Sequence, residues 1–254
     1  MPARYPDAFR CHWRAVTRPP ALAPDRVHLW RLRLDLSRER IAELAGHLSP
    51  GEQERAARFR LPPVRDRYIA GRGTLRELLA LYLGIKPAEV AFAYSMRGKP
   101  QVYGNGTDVR FNMADSGALA LVGLALGREC GVDVERRRRD LDPLEIAGRF
   151  FSPAEAAALA ALPLPERRRA FFCAWTAKEA FLKGTGEGIF GGLDRLVGWP
   201  PCSTPQPVRL NYGHEDQPDW HLLNISPAPG YAGSLVVAGG GWQVVCLRQA
   251  TPAT

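Results

Sequence analysis

The stretches SPGEQERAARF (49–59) and SPAEAAALAAL (152–162) open in the same way and lie 103 positions apart. Each begins Ser-Pro-x-Glu. The serine is an N-cap, the proline suits the first helical turn, and the glutamate three positions after the cap reaches back to it. At the same shift, the amphipathic segment Arg65–Leu83, closed by Gly84, falls on Arg168–Gly186, which is also helical in pattern. Around these helices, alternation or short apolar runs mark strands at 27–36 (VHLWRLRLDL), 90–95, 109–113, 119–126 and 130–135, and again at 208–212, 219–226, 233–239 and 242–248. Arg97-Gly98-Lys99-Pro100 reads as a turn and GWPPCSTPQP (198–207) as a connector. The fold class expected is α+β, built as two similar α+β halves at 25–126 and 127–254. An arm at 1–24, rich in Arg, Pro and Ala and without period, precedes them and is expected to be loose.

Composition narrows the function classes. A chain of 254 residues buries roughly three-quarters of its unfolded surface, so a sizeable core needs no staples. The net charge of +8 points to an anionic partner: nucleic acid, a phosphorylated small molecule or an acidic protein. No helix-turn-helix, zinc or aromatic stacking signature accompanies it, so nucleic acid is not expected. Of the 34 basic residues only Lys86, Lys99, Lys178 and Lys183 are lysines. These four stand out because arginine cannot copy a compact ammonium. Five scattered cysteines without a CxxC argue against a disulfide framework and fit a reducing cytoplasm. No signal-like leader and no apolar run of membrane-spanning length appear, so no membrane partner is expected. The five histidines have no metal or triad spacing.

Two stretches carry chemistry. In GVDVE (131–135), Asp133 and Glu135 are two apart and share one face of a strand. Spacing alone leaves two readings: a solvated edge paired with the run Arg136–Arg139, or a divalent metal site with oxygen ligands, which suits Mg²⁺. In FFCAWTAKEAFLKGTGEGI (171–189), Trp175, Glu179 and Lys183 recur every four residues on one helical face, and glycines follow. That is either an ordinary surface pair or the wall of a site whose backbone a ligand approaches. Arg67, Arg72 and Arg76 lie on the helix in the first half, too far around the axis to share one narrow face.

Together these stretches resemble the paired signature of the 4′-phosphopantetheinyl transferases. The upstream RGKP and FNMADSG elements, the SPxE starts and the length resemble the Sfp-type branch, with two pseudo-twofold halves in one chain and the active site at their interface. The resemblance spans about residues 25–250. It implies Asp133, Glu135 and Glu179 as ligands of Mg²⁺, with Mn²⁺ as an alternative, and coenzyme A as co-substrate. It implies catalytic roles for Glu179 and Lys183, with Lys183 near the pyrophosphate. Coenzyme A contacts carry over to Arg55, Arg67, Arg72, Lys99, Pro100, Asn112, Lys178 and Lys183, with Phe111 and Trp175 at further signature positions. One departure matters: Ala114-Asp115 stands where the family usually has Ser-His, and the family's histidine holds phosphate. An aspartate carries the wrong sign for holding phosphate, repelling a like charge about 4 Å away by about 4 kcal/mol at an effective dielectric near 20.

The reaction implied is transfer of 4′-phosphopantetheine from coenzyme A to a serine of an apo acyl or peptidyl carrier protein, releasing 3′,5′-ADP. The carriers are acidic, and Arg136–Arg139 could help to steer them. A self-sufficient monomer is expected from the two internal halves. The alternative is a catalytically impaired coenzyme A- or carrier-binding relic of the same fold.

Overall fold

The computed structural model describes residues 8–104, 106–138, 140–187, 208–210 and 219–250. Arg139, Gly188 and the connector 198–207 lie outside the described residues. The fold is mixed α+β. Its helices are α1 (Arg38–Ala45), α2 (Pro50–Ala57), α3 (Pro62–Leu83), α4 (Pro143–Phe150), α5 (Pro153–Ala160) and α6 (Leu164–Thr185). Its strands are β1 (Arg14–Val16), β2 (Arg26–Arg33), β3 (Ala91–Tyr94), β4 (Pro100–Tyr103), β5 (Val109–Ser116), β6 (Leu119–Leu126), β7 (Cys130–Arg136), β8 (Val208–Leu210), β9 (Trp220–Ile225), β10 (Tyr231–Ala238) and β11 (Gln243–Gln249).

Both Ser-Pro-x-Glu starts form complete capping boxes, on α2 and on α5. The long helices that follow, α3 and α6, are each 22 residues. Each ends on a left-handed glycine, Gly84 at φ 68° and Gly186 at φ 74°, where a Cβ would be strained. The described elements thus recur at nearly constant spacing, in the order short capped helix, long helix, strands.

One sheet runs β1-β11-β2-β6-β5 and the other β7-β10-β9-β8, while β3 and β4 form a separate hairpin. The apolar run of β6 is explained by burial on both faces. Leu119, Leu121 and Ala125 join β7 and β10 residues between the sheets, whereas Ala120, Val122 and Leu124 pack with Leu75, Leu78 and Leu79 of α3. On the far side, Ala177, Ala180 and Phe181 of α6 pack on Trp220, Leu222 and Val236. The layers are therefore α3, sheet, sheet, α6.

Two features differ from the expected division. The boundary at 126/127 separates β6 from β7, which lie in different sheets, but β11 returns to the first sheet and pairs in parallel with β2, Val244 opposite Val27. The arm, from residue 8 onward, is held across both sheets. Phe9 exchanges backbone hydrogen bonds with Asn224 (3.0 Å) and Ser226 (2.9 Å), and β1 pairs with β11. Strand edges have backbone groups to satisfy, and the arm supplies partners.

The crossing of β7 and α6 is closest at glycine. A Cβ on Gly131 would lie 1.9 Å from the carbonyl oxygen of Ala180 and 2.4 Å from the Gly184 nitrogen. Only a residue without Cβ allows this approach. We expect Gly131→Ala to destabilise the protein by about 2–3 kcal/mol or more, as overpacking does. Gly148→Ala, in α4 with no atom within 4 Å of the new methyl, should stabilise it by about 0.5–1 kcal/mol. Urea denaturation of both variants checks the pair.

Candidate functional site

Asp133, two residues beyond Gly131, follows β7 into the seam beside α6. Its carboxylate is buried and accepts from Lys183 Nζ at 2.5 Å through Oδ1, while Oδ2 has no hydrogen-bond partner among the described residues. Glu179, one helical turn before Lys183, is only 6% exposed, and its Oε1 is likewise without a partner. Glu135 Oε2 accepts from Ser116 Oγ at 2.8 Å, and the same Oγ accepts from the Arg136 N–H at 3.1 Å. Ser116 belongs to β5, so this contact crosses from one sheet edge to the other. Asn112 of β5 makes a second crossing, its Oδ1 accepting from the Val132 N–H at 2.9 Å.

The three carboxylates share one electrostatic neighbourhood. Burial pushes Asp133 above the ordinary carboxylate range, opposed by Lys183. Burial raises Glu179 too, opposed by Lys183 and reinforced by Asp133 and Glu135. Glu135 is raised chiefly by burial, with the Ser116 hydrogen bond working against it. Asp115, which lines the neighbouring cleft, is raised by burial and lowered by Lys183, and it in turn raises Asp133 and Glu135. Four acids thus face one lysine. Buried carboxylate oxygens without donors are costly, and an oxygen-binding cation is the group that satisfies them. The donor set fits a hard divalent cation.

The carboxylates are not drawn into a closed shell. Among the described residues, the group whose possible ligand atoms all lie within 4.8 Å of one another is elsewhere, at Glu43, His47 and Glu77. That group already holds a guanidinium, since Arg40 pairs with Glu43 at 2.7 Å and with Glu77.

A cleft of about 580 Å³ opens beside the carboxylates, within the size range of small-molecule sites. Arg55, Arg67, Arg72, Pro100, Asn112 and Asp115 all line it. Arg67 and Arg72, too far apart around α3 for a narrow groove, both reach it because it is broad. Arg72 is aimed by Glu52, whose Oε1 accepts from its Nε at 2.7 Å, and by the Tyr94 hydroxyl at 2.8 Å. Arg67 makes a longer pair with Asp35 at 3.4 Å, and Arg55 lies over the Tyr68 ring. Arg76 stays inside, bonded to Glu52 at 2.7 Å and to the Val90 carbonyl at 2.8 Å. A second cavity, of about 670 Å³, is lined by Ser116, Gly117, Arg136, Arg137, Arg138 and Asp140, and Gly117 also borders the first cleft.

Asp133, Glu135, Glu179 and Lys183 are not among the residues that line the cleft, and neither are Lys178, Trp175 and Lys99. Lys178 is 1% exposed, pairs with Glu155 at 2.9 Å and sits over the Phe151 ring. Trp175 stacks on Phe151 and Phe171 and meets Phe150 edge-on. Lys99 pairs with Glu129 and donates to the Gly184 carbonyl at 2.5 Å, tying the β3–β4 turn to the end of α6. Glu52, Tyr68, Tyr94 and Ser116 were not singled out by sequence reasoning. Of these, only Glu52 had a signal, its place in the capping box.

A family model described as the 4′-phosphopantetheinyl transferase superfamily matches residues 129–238. The chain is 39% identical over 233 residues to 4′-phosphopantetheinyl transferase HetI of Nostoc sp., covering 90% of this chain and 95% of that protein. It is 32% identical over 192 residues to the phosphopantetheinyl transferase of Thraustochytrium sp., covering 68% and 65%. It is 28% identical over 159 residues to 4′-phosphopantetheinyl transferase Sfp of Bacillus subtilis, covering 63% and 69%.

The raised carboxylates fix the sign of a stability effect. A carboxyl whose folded value is raised stabilises the fold while protonated and loses that contribution as pH rises through the folded value. In cation-free protein, Glu179→Gln should therefore raise the urea midpoint at pH 8 relative to wild type, and the gain should vanish near pH 4. An unchanged difference between the two pH values would contradict the assignment.

Proposed function

The chain belongs to the 4′-phosphopantetheinyl transferase superfamily, and we propose that it moves 4′-phosphopantetheine from coenzyme A to a serine of an acyl or peptidyl carrier protein, releasing 3′,5′-ADP. The observation that carries the reading is the pair of buried, partnerless oxygens, Asp133 Oδ2 and Glu179 Oε1, beside a cleft walled by arginines.

Asp133, Glu135 and Glu179 hold Mg²⁺ in this reading. When bound, the ion neutralises the pyrophosphate of coenzyme A. The chain's own residues do the rest. Arg55, Arg67 and Arg72 bind the nucleotide phosphates along the cleft wall, and Pro100 and Asn112 shape it. Attack of the carrier serine on the β-phosphorus breaks its bond to the bridging oxygen, and charge grows on that oxygen as 3′,5′-ADP leaves. Lys183, whose side chain is 34% exposed, offsets that charge in this reading. Preorganised charges of this kind carry most of the catalysis of phosphoryl-type transfer. The Glu179 carboxylate is the chain's candidate acceptor for the serine proton, through an oxygen that the ion leaves free.

Lys178 and Lys99 serve this chemistry from behind. Lys178 fixes α6 against α5 through Glu155, and Lys99 fixes the end of α6, so both set where Glu179 and Lys183 stand. The relic alternative is disfavoured by stability: a chain relieved of turnover gains by losing buried, partnerless carboxylates. The basic cavity at Arg136, Arg137 and Arg138 offers an acidic carrier a landing surface next to the reacting groups.

Intact-mass analysis of an apo carrier incubated with coenzyme A, Mg²⁺ and this protein should show a gain of one phosphopantetheine. Chelator should abolish it, and Glu135→Ala should slow it by about 10²-fold or more. An unmodified carrier across acyl and peptidyl types would favour the relic.

A further inference from the structure

β5 is the edge strand of the first sheet and β7 that of the second, and no strand ladder joins them. Two β5 side chains stand in for one. Asn112 Oδ1 accepts the Val132 N–H at 2.9 Å, and four residues on, Ser116 Oγ accepts the Arg136 N–H at 3.1 Å. Val132 and Arg136 are also four apart, so both N–H groups leave β7 on the same edge. The Ser116 hydroxyl does more than satisfy the strand. With the Arg136 N–H on its oxygen, its one proton goes to Glu135 Oε2 at 2.8 Å. Glu135 is the carboxylate that needs a holder. Asp133 is shorter, and both it and Glu179 are buried, whereas Glu135 is half-buried. A glutamate side chain loses much rotamer freedom when it is fixed. Ser116 is itself well anchored. It is the last residue of β5, paired with Leu119 of β6, and the turn between them is tied down where the Ala118 N–H donates to the Tyr231 hydroxyl at 3.4 Å.

From this geometry we infer that Ser116 is a positioning residue for the divalent cation: its hydroxyl holds Glu135 by Oε2 and leaves Oε1 to the ion. The inference rests on the cation reading above. Among the described residues Oε1 makes no hydrogen bond or ion pair, so it is the atom left to ligate. Carboxylate ligands are commonly oriented in this way by a neighbouring donor. The hydroxyl sets the Glu135 rotamer before the ion arrives, so less ordering is left to the binding step. It also gives the first half a part in holding the ion, although Asp133, Glu135 and Glu179 all belong to the second.

Mn²⁺ calorimetry on the full chain tests this, with no turnover needed. Ser116→Ala should weaken Mn²⁺ binding about tenfold. Ser116→Thr and Ser116→Val form a matched pair, alike in shape and different in the hydroxyl. Ser116→Thr should bind within about twofold of wild type, and Ser116→Val about tenfold more weakly. Urea midpoints without the ion read the structural contribution separately, since Ser116→Ala and Ser116→Val both remove the acceptor of the Arg136 N–H. Lowered midpoints with unchanged Mn²⁺ affinity would mean that Ser116 only satisfies the strand, and this overturns the inference. So does a Ser116→Thr protein that binds as weakly as Ser116→Val. If Glu135→Gln weakens binding while Ser116→Ala does not, the inference falls and the cation reading stands. A wild type that binds no Mn²⁺, or binds it no better than Glu135→Gln does, overturns the cation reading itself and the inference with it.

Discussion

Everything at the seam depends on how closely α6 crosses β7. With no Cβ on Gly131, the strand backbone lies against the Ala180 carbonyl and the Gly184 nitrogen. That contact brings one strand and one helix face near enough for Asp133, Glu135, Glu179 and Lys183 to share a field. It also buries charge. Each carboxylate taken from water incurs a desolvation cost that its neighbours only partly offset, and the like charges add to it. The protein tolerates this cost because two large cores flank the seam, one under each long helix. A site that is unfavourable without an ion is one that an ion will stabilise.

The repeated scaffold explains how opposite charges come to face each other. In each half, a capping-box glutamate reaches a cation on the following long helix: Glu52 to Arg76, and Glu155 to Lys178. These are internal struts. From there the halves diverge. Glu77, which stands 102 residues before Glu179, is absorbed in a surface network with Arg40 and His47. Glu179 Oε1 is left without a donor. The first half lines the cleft with arginines, and the second carries the acids buried at the seam with Lys183.

The periodic features were legible in the sequence. Both capping boxes, the doubly buried run of β6, the close-packed β7 and the glycine-closed long helices each leave a local pattern. Missing were α1 and α4, short helices held by Ser37 and Asp142 caps, and β1 and β4, strands of three and four residues. Their stability is tertiary, and short elements carry little periodicity. The return of β11 to the first sheet could not be read, since nothing local tells a strand which edge it will join. The two signature stretches do put Asp133, Glu135 and Glu179 in the field of Lys183. The pattern could not tell two lysines of different burial apart: Lys178 and Lys183 sit on the same helix five residues apart, yet one is sealed against Glu155 and the other is part-exposed on Asp133.

The central claim is that the acids of β7 and α6 hold a divalent ion. Anomalous diffraction from crystals of this protein grown with Mn²⁺ tests it most directly. The account predicts one strong peak bounded by Asp133, Glu135 and Glu179. A peak at Glu43, His47 and Glu77 instead, or an ammonium still seated on Asp133 with no metal beside it, would contradict the account.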